Sequence, residues 1–97
     1  VSPEGAKRTV AASDSDVEAT LRSVLIDVLG LDPASVAGFG PATPLFGALP
    51  EFDSIAVAGL LTELEERLGI VIEDDEVDAD MMETFGALLA FAKAKAL

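Results

Sequence analysis

The sequence predicts an all-α fold: three main helices plus one short helix in a four-helix bundle with a long first loop. Apolar residues recur at three- and four-residue spacing in three runs, each opened by a residue whose side chain can cap a helix. Only Ile70-Val71-Ile72 is short and apolar enough for a strand, and no second run exists to pair with it. Residues 31–52 interleave Pro33, Pro41, Pro44 and Pro50 with Gly38, Gly40 and Gly47, which excludes a long regular element there.

In chain order, residues 1–13 mix Ser, Ala, Gly and Pro with scattered charge, the pattern of a flexible tail or linker remnant ahead of a domain at 14–97. Ser15-Asp16-Val17-Glu18 has the form of a capping box. Val17, Leu21, Val24, Leu25 and Val28 then follow at helical spacing up to Gly30. Loops as long as the next one are uncommon in small domains unless they are functional or packed down. Val36, Phe39, Leu45, Phe46, Leu49 and Phe52 give this one apolar anchors. Asp53 is the expected N-cap of the second helix, whose inward stripe reads Val57, Leu60, Leu61, Leu64 and Leu68 and which stops at Gly69. Ile70-Val71-Ile72 reads as an extended link plugging the core. Asp78 can cap a short turn through Ala79, Asp80, Met81 and Met82. Thr84 caps a last helix with Phe85, Leu88, Leu89 and Phe91 inward, and Lys93 and Lys95 suit its negative end.

Composition bounds the function. A chain of 97 residues has room for one core and no deep catalytic cleft. It contains no cysteine and no histidine, so it has no disulfide, no thiolate zinc site, no cysteine nucleophile and no histidine base, and ordinary enzyme chemistry is not expected. The N-terminus lacks an apolar signal region and no stretch approaches the ~20 apolar residues of a spanning helix, so no membrane insertion and a cytoplasmic location are expected. The formal net charge is -12, which repels nucleic acid and anionic membrane and favours basic patches on partner proteins. Between Asp14 and Phe91 the only basic residues are Arg22 and Arg67.

With Asp53 as cap, Ser54 falls at the first helical position. Its side chain projects there from the helix end, near unsatisfied amides, where a phosphate-linked group could be attached. Most Asp-Ser dipeptides simply cap a helix, so the pattern around this one matters. The Asp53-Ser54-Ile55 start, the Glu63-Leu64-Glu65-Glu66 end, the Leu68-Gly69-Ile70 link, the Glu73-Asp74-Asp75-Glu76 segment and the Thr84-capped last helix together resemble an acyl carrier protein over residues 15–92. That resemblance implies 4′-phosphopantetheine, taken from coenzyme A, on Ser54 beside Asp53. A phosphopantetheinyl transferase would attach it, and the acyl group would be held as a thioester. The thiol that the chain lacks would arrive with the cofactor.

The resemblance also implies a monomeric carrier with no catalysis of its own, serving acyl-loading, chain-modifying or acyltransferase enzymes through basic or apolar docking patches. On a helical wheel centred on Val57, Ile55, Ala58, Gly59, Thr62 and Glu66 face solvent. The expected partner contacts are Ile55, Ala58, Thr62, Glu63, Glu65 and Glu66, although Ile55 could instead fold under the loop against Phe46 or Phe52. The expected acyl shelter is Val57, Leu60, Leu61, Leu64 and Ile70. Members of the family in fatty acid synthesis carry acidic residues where Ala56 and Gly59 stand. This departure implies a specialised pathway such as a polyketide or lipid-modification system, and the loop Leu45 to Phe52 resembles carriers found near exopolysaccharide and exosortase-type gene clusters. Two alternatives are an unmodified acidic interaction domain and a peptidyl or aminoacyl carrier, although the Glu51-Phe52 lead-in lacks the Gly-Gly frequent in the latter. Asp74, Glu76, Asp78 and Asp80 alternate as a calcium loop begins. Ala79 and Phe85 stand where its glycine and bidentate glutamate belong, so no metal site is expected beyond a weak surface one.

Overall fold

A computed structural model describes residues 13–97, so the segment expected as a tail lies outside the described residues except for Ser13. The chain forms α1 (Asp14–Leu29), α2 (Pro33–Ala37), α3 (Ser54–Leu68), α4 (Ala79–Met82) and α5 (Phe85–Ala96), with a single 3-10 turn over Asp74–Glu76. Among the described residues there is no strand, only an isolated antiparallel bridge between Pro44 and Thr84.

Each boundary has a local cause. Ser13, not Ser15, caps α1, its hydroxyl accepting from Asp16 N at 3.2 Å. The earlier cap places Asp14 and Asp16 in the first turn, at the positive end of the helix, and frees Glu18 to pair with Arg22 at 2.6 Å. Gly30 ends α1 and Gly69 ends α3, both in left-handed conformation with φ of 69° and 66°. Asp53 caps α3 through Ala56 N at 2.9 Å, Asp78 caps α4 through Met81 N at 2.9 Å, and Thr84 caps α5 through Ala87 N at 3.1 Å.

The long first connection is not wholly irregular. Asp32 caps the short helix α2 through Ser35 N at 3.2 Å, and Pro33 opens it. Pro33 acts there as a helix starter, because the first position of a helix needs no amide proton. Beyond α2 the loop is clipped to the α4–α5 junction. Leu45 N donates to Glu83 O at 2.8 Å, Phe46 N to Met82 O at 3.0 Å, Phe85 N to Thr43 O at 2.8 Å and Gly86 N to Pro41 O at 3.0 Å. A Cβ at Gly86 would lie 2.6 Å from Pro41 O, so only glycine admits this approach.

The core is one cluster. Leu21, Val24 and Leu25 of α1 meet Leu60 and Leu64 of α3 and Phe85 and Leu88 of α5, with Val36, Leu45, Phe52, Met81 and Met82 closing it from the connections. Arg22 ties the loop down. Its guanidinium donates to the carbonyls of Val36 and Phe39, the latter at 3.1 Å, and sits 4.5 Å from the Phe85 ring centroid. Arg67 bridges α3 to α1 through Asp27 at 2.8 Å while also holding Glu63 at 2.8 Å. Both arginines are therefore engaged in contacts within the chain, Arg22 partly buried and Arg67 on the surface.

Candidate functional site

Ser54 is the first residue of α3 and is exposed, and its position follows from Asp53. The cap carboxylate takes the amide of Ala56 and the Asp53 carbonyl takes the amide of Val57 at 2.9 Å, which starts the helix at the serine. Ser54 and Ile55 keep the orphan amides of a helix start, a setting that favours a neighbouring phosphate charge.

Three openings converge on this serine. An inner groove of about 300 Å³ runs between α3 and α4, lined by Phe46, Val57, Val77, Ala79 and Met82 with Asp78 at its edge. A loop bowl of about 440 Å³ is formed by residues 46–50 with Phe52 and Asp53. An outer groove of about 460 Å³ follows α3 along Val57, Ala58, Leu61, Thr62 and Glu65 to Ile72, Asp74 and Val77. A phosphodiester on the Ser54 hydroxyl would meet no wall, and an arm attached there could lie along any of the three. The residues present therefore fit a long, flexible, phosphate-linked group.

The expected shelter residues separate into two sets. Val57 and Leu61 line the grooves, whereas Leu60 and Leu64 are fully buried in the bundle core. Ile70 lines none of these openings. The link after α3 packs inward through Ile72, with Val71 66% exposed, so it does not plug the core as a continuous run. Residue alternation in extended backbone puts only one of these neighbours inward, and the Ile72 amide is fixed by Glu65 Oε2 at 2.7 Å. Phe46, Val77, Ala79 and Met82 were not foreseen as groove residues, since they come from separate elements and no periodic signal connects them.

On the outer face Ile55 is 83% exposed and does not fold under the loop; Phe46 and Phe52 instead pair edge-to-face with ring centroids 6.0 Å apart. Ala58, Thr62 and Glu66 are exposed beside it. Thr62 donates its hydroxyl to Ala58 O at 3.0 Å, Glu63 is engaged with Arg67, and Glu65 holds Ile72. Gly59 departs from the expected face. It turns toward α1, where an added Cβ would meet Val28 Cγ1 at 3.3 Å, and Ala56 packs against the core. The buried direction of α3 lies between Leu60 and Leu64, not at Val57, and that rotation carries Ala56 and Gly59 inward. Close approach of α1 accounts for the small residue at 59.

The acidic segment after α3 is structural at several points. Glu76 accepts from Lys95 Nζ at 2.8 Å and from Glu73 N at 2.9 Å, and these bonds, the lysine's foremost, hold its carboxyl below the ordinary carboxylate pKa. Asp78 is spent on the α4 cap. Among the described residues no group of three or more His, Cys, Asp or Glu side chains is arranged to hold a metal ion. Among them, too, no helix is long and apolar enough to cross a membrane.

Comparison with known proteins agrees with this geometry. Residues 19–92 match the family model described as the phosphopantetheine attachment site. The fold is similar to the solution structure of a holo acyl carrier protein from Nitrosomonas europaea, with 37% sequence identity and a TM-score of 0.71, over 80% of this chain and 92% of that one. A match of this extent to the family model, with an overall structure similar to that of a holo carrier, settles the assignment: the chain belongs to the acyl carrier protein family, carriers with a covalently attached 4′-phosphopantetheine and no catalysis of their own.

Proposed function

We propose that the domain at 14–97 carries acyl groups on 4′-phosphopantetheine joined to Ser54 and presents them to the enzymes of a specialised acyl pathway. The observation that carries this reading is the exposed Ser54 hydroxyl at the first position of α3, capped by Asp53, where all three openings meet. In the loading step the Ser54 Oγ bonds to the phosphorus that bears the pantetheine half of coenzyme A, and the bond from that phosphorus to the leaving 3′,5′-adenosine bisphosphate breaks. The hydroxyl proton passes to a base of the transferase; the carboxylates of Asp53 and Asp78, which border the openings at Ser54, are each engaged as a helix cap. When bound, the arm supplies the terminal thiol on which an acyl group is held as a thioester.

The chain's own work is to orient and to shelter. Asp53 fixes the serine at the helix start. Val57 and Leu61 offer apolar cover on two sides of it, while Ile55, Ala58, Thr62 and Glu66 face outward to partner enzymes. The specialised pathway is supported by the surface of α3, whose first turn contains no acidic residue and presents Ile55, with Ala58 exposed in the next turn. Such a face favours partners that read apolar shape near Ser54 before charge farther along the helix. Intact mass after incubation with coenzyme A and a broad-specificity phosphopantetheinyl transferase tests the reading. The wild type gains one phosphopantetheinyl group and Ser54→Ala gains none; equal masses for the two proteins overturn it.

A further inference from the structure

The loop before Ser54 contributes one side chain to two of the three openings. Phe46 lines both the inner groove and the loop bowl, and Ser54 borders each of them. The Phe46 backbone is fixed, because its amide donates to Met82 O at 3.0 Å and the preceding Leu45 amide to Glu83 O at 2.8 Å. Its ring packs edge-on against the buried Phe52, yet 41% of the residue remains exposed. Gly47 follows in left-handed conformation at φ 89°, turning the chain away immediately after the ring. The result is a rigidly mounted aromatic partition beside the serine, with an apolar groove on one side and a loop bowl on the other.

We propose that Phe46 is a specificity-determining residue for the cargo, setting the length of aliphatic acyl chain that the inner groove can cover. This rests on the reading of Ser54 as the attachment point. A chain entering from Ser54 passes Val57 and Val77 and is bounded by Met82 and Ala79; Phe46 closes the side that would otherwise open into the bowl. Straight-chain acyl groups gain cover with each methylene until the groove is filled, and further carbons stay in water. Removing the ring joins the two spaces and gives those further carbons an apolar surface.

The test uses the holo protein carrying a ladder of straight-chain acyl groups from butyryl to palmitoyl, with the rate of thioester cleavage by hydroxylamine as the readout. In the wild type the protection rises by up to about fourfold per methylene, the equivalent of about 0.8 kcal/mol each, and then stops rising. In Phe46→Ala the rise continues to longer chains, and Phe46→Leu, which keeps an apolar side chain in the loop, gives an intermediate stopping point. The same stopping point in wild type and in whichever variant retains wild-type helicity overturns the proposal, as does a wild-type ladder that shows no rise at all. Failure of the protein to accept the arm on Ser54, seen by mass before any acylation, overturns the attachment reading and this proposal with it. Normal loading with unchanged stopping points overturns only the role of Phe46.

Discussion

Removing the Arg22 guanidinium is expected to loosen the whole loop that leads to Ser54. Arg22→Met keeps the apolar stem but withdraws the donors from the Val36 and Phe39 carbonyls, the contact with Glu18 and the cation over the Phe85 ring. A fully buried carbonyl left unsatisfied costs about 1–3 kcal/mol, but water reaches this site, since the Arg22 side chain is 23% exposed, so the two carbonyls together fall near the low end. The cation–π contact adds about 0.5–1 kcal/mol and the helical ion pair about 0.3–0.5 kcal/mol. The sum is a loss of about 2–2.5 kcal/mol. For a domain of this size each kcal/mol lowers the thermal midpoint by about 4–8 °C. Arg22→Lys should recover less than half of the loss, because an ammonium cannot reach Glu18 and two carbonyls in one planar fork. Urea denaturation followed by circular dichroism measures this, with an unchanged m-value showing that only stability has moved. An Arg22→Met unfolding free energy within about 0.5 kcal/mol of wild type would refute the assignment of Arg22 as the loop's anchor.

Three further outcomes are expected. Gly86→Ala should lower the unfolding free energy from urea denaturation by about 1–3 kcal/mol despite the better helix propensity of alanine, because its Cβ would meet the Pro41 carbonyl at 2.6 Å; a stabilised variant would show that the loop can retreat at no cost. Glu76 has a folded pKa below its unfolded one, so its stabilising pairing with Lys95 is present above the unfolded carboxylate pKa and is lost as pH falls through the folded value. Thermal melts of Glu76→Gln and wild type should therefore differ at neutral pH and converge in acid, and a constant gap would contradict the pairing. Ile55→Glu should leave helicity and midpoint unchanged while slowing phosphopantetheinylation or acyl transfer, whereas a fall in the midpoint would show Ile55 to be packed.

Much of this fold was legible because its stops and starts are local. Asp53, Gly69, Asp78 and Thr84 act on amides or carbonyls within one helical turn, so the residue type alone announces the boundary. Ser54 inherits its place from Asp53 and was legible for the same reason. What failed depended on competition or on distance. Ser13 and Ser15 both have a side chain that can cap, and the helix uses the earlier one. Pro33 was read as a breaker, although after Asp32 it begins α2. The direction that α3 buries is set by where α1 and the core lie, which a wheel centred on Val57 cannot know; hence Gly59 is placed outward there. The groove walls Phe46, Val77 and Met82 meet only because Leu45 and Phe46 are clipped to Met82 and Glu83, a pairing without a sequence signature.

The acidic charge acquires a similar physical account. Arg22 is spent on the Val36 and Phe39 carbonyls and on Glu18, and Arg67 pairs on the surface with Asp27 and Glu63 of the same chain. Around Ser54 the outward surface is then apolar at Ile55 and negative beyond it at Glu66. On the proposed carrier reading, a partner docks through an apolar contact at Ile55 and basic residues facing Glu66.

The central claim is that Ser54, among several hydroxyls, carries the arm. Fragmentation mass spectrometry of proteolytic peptides from protein loaded by a phosphopantetheinyl transferase tests it most directly. The predicted result is a phosphopantetheinyl group on the peptide containing Asp53-Ser54-Ile55, localised to Ser54. A group found on Ser13, Ser15, Ser23 or Ser35, or an unmodified Ser54 peptide under conditions that load a known carrier to completion, would contradict it.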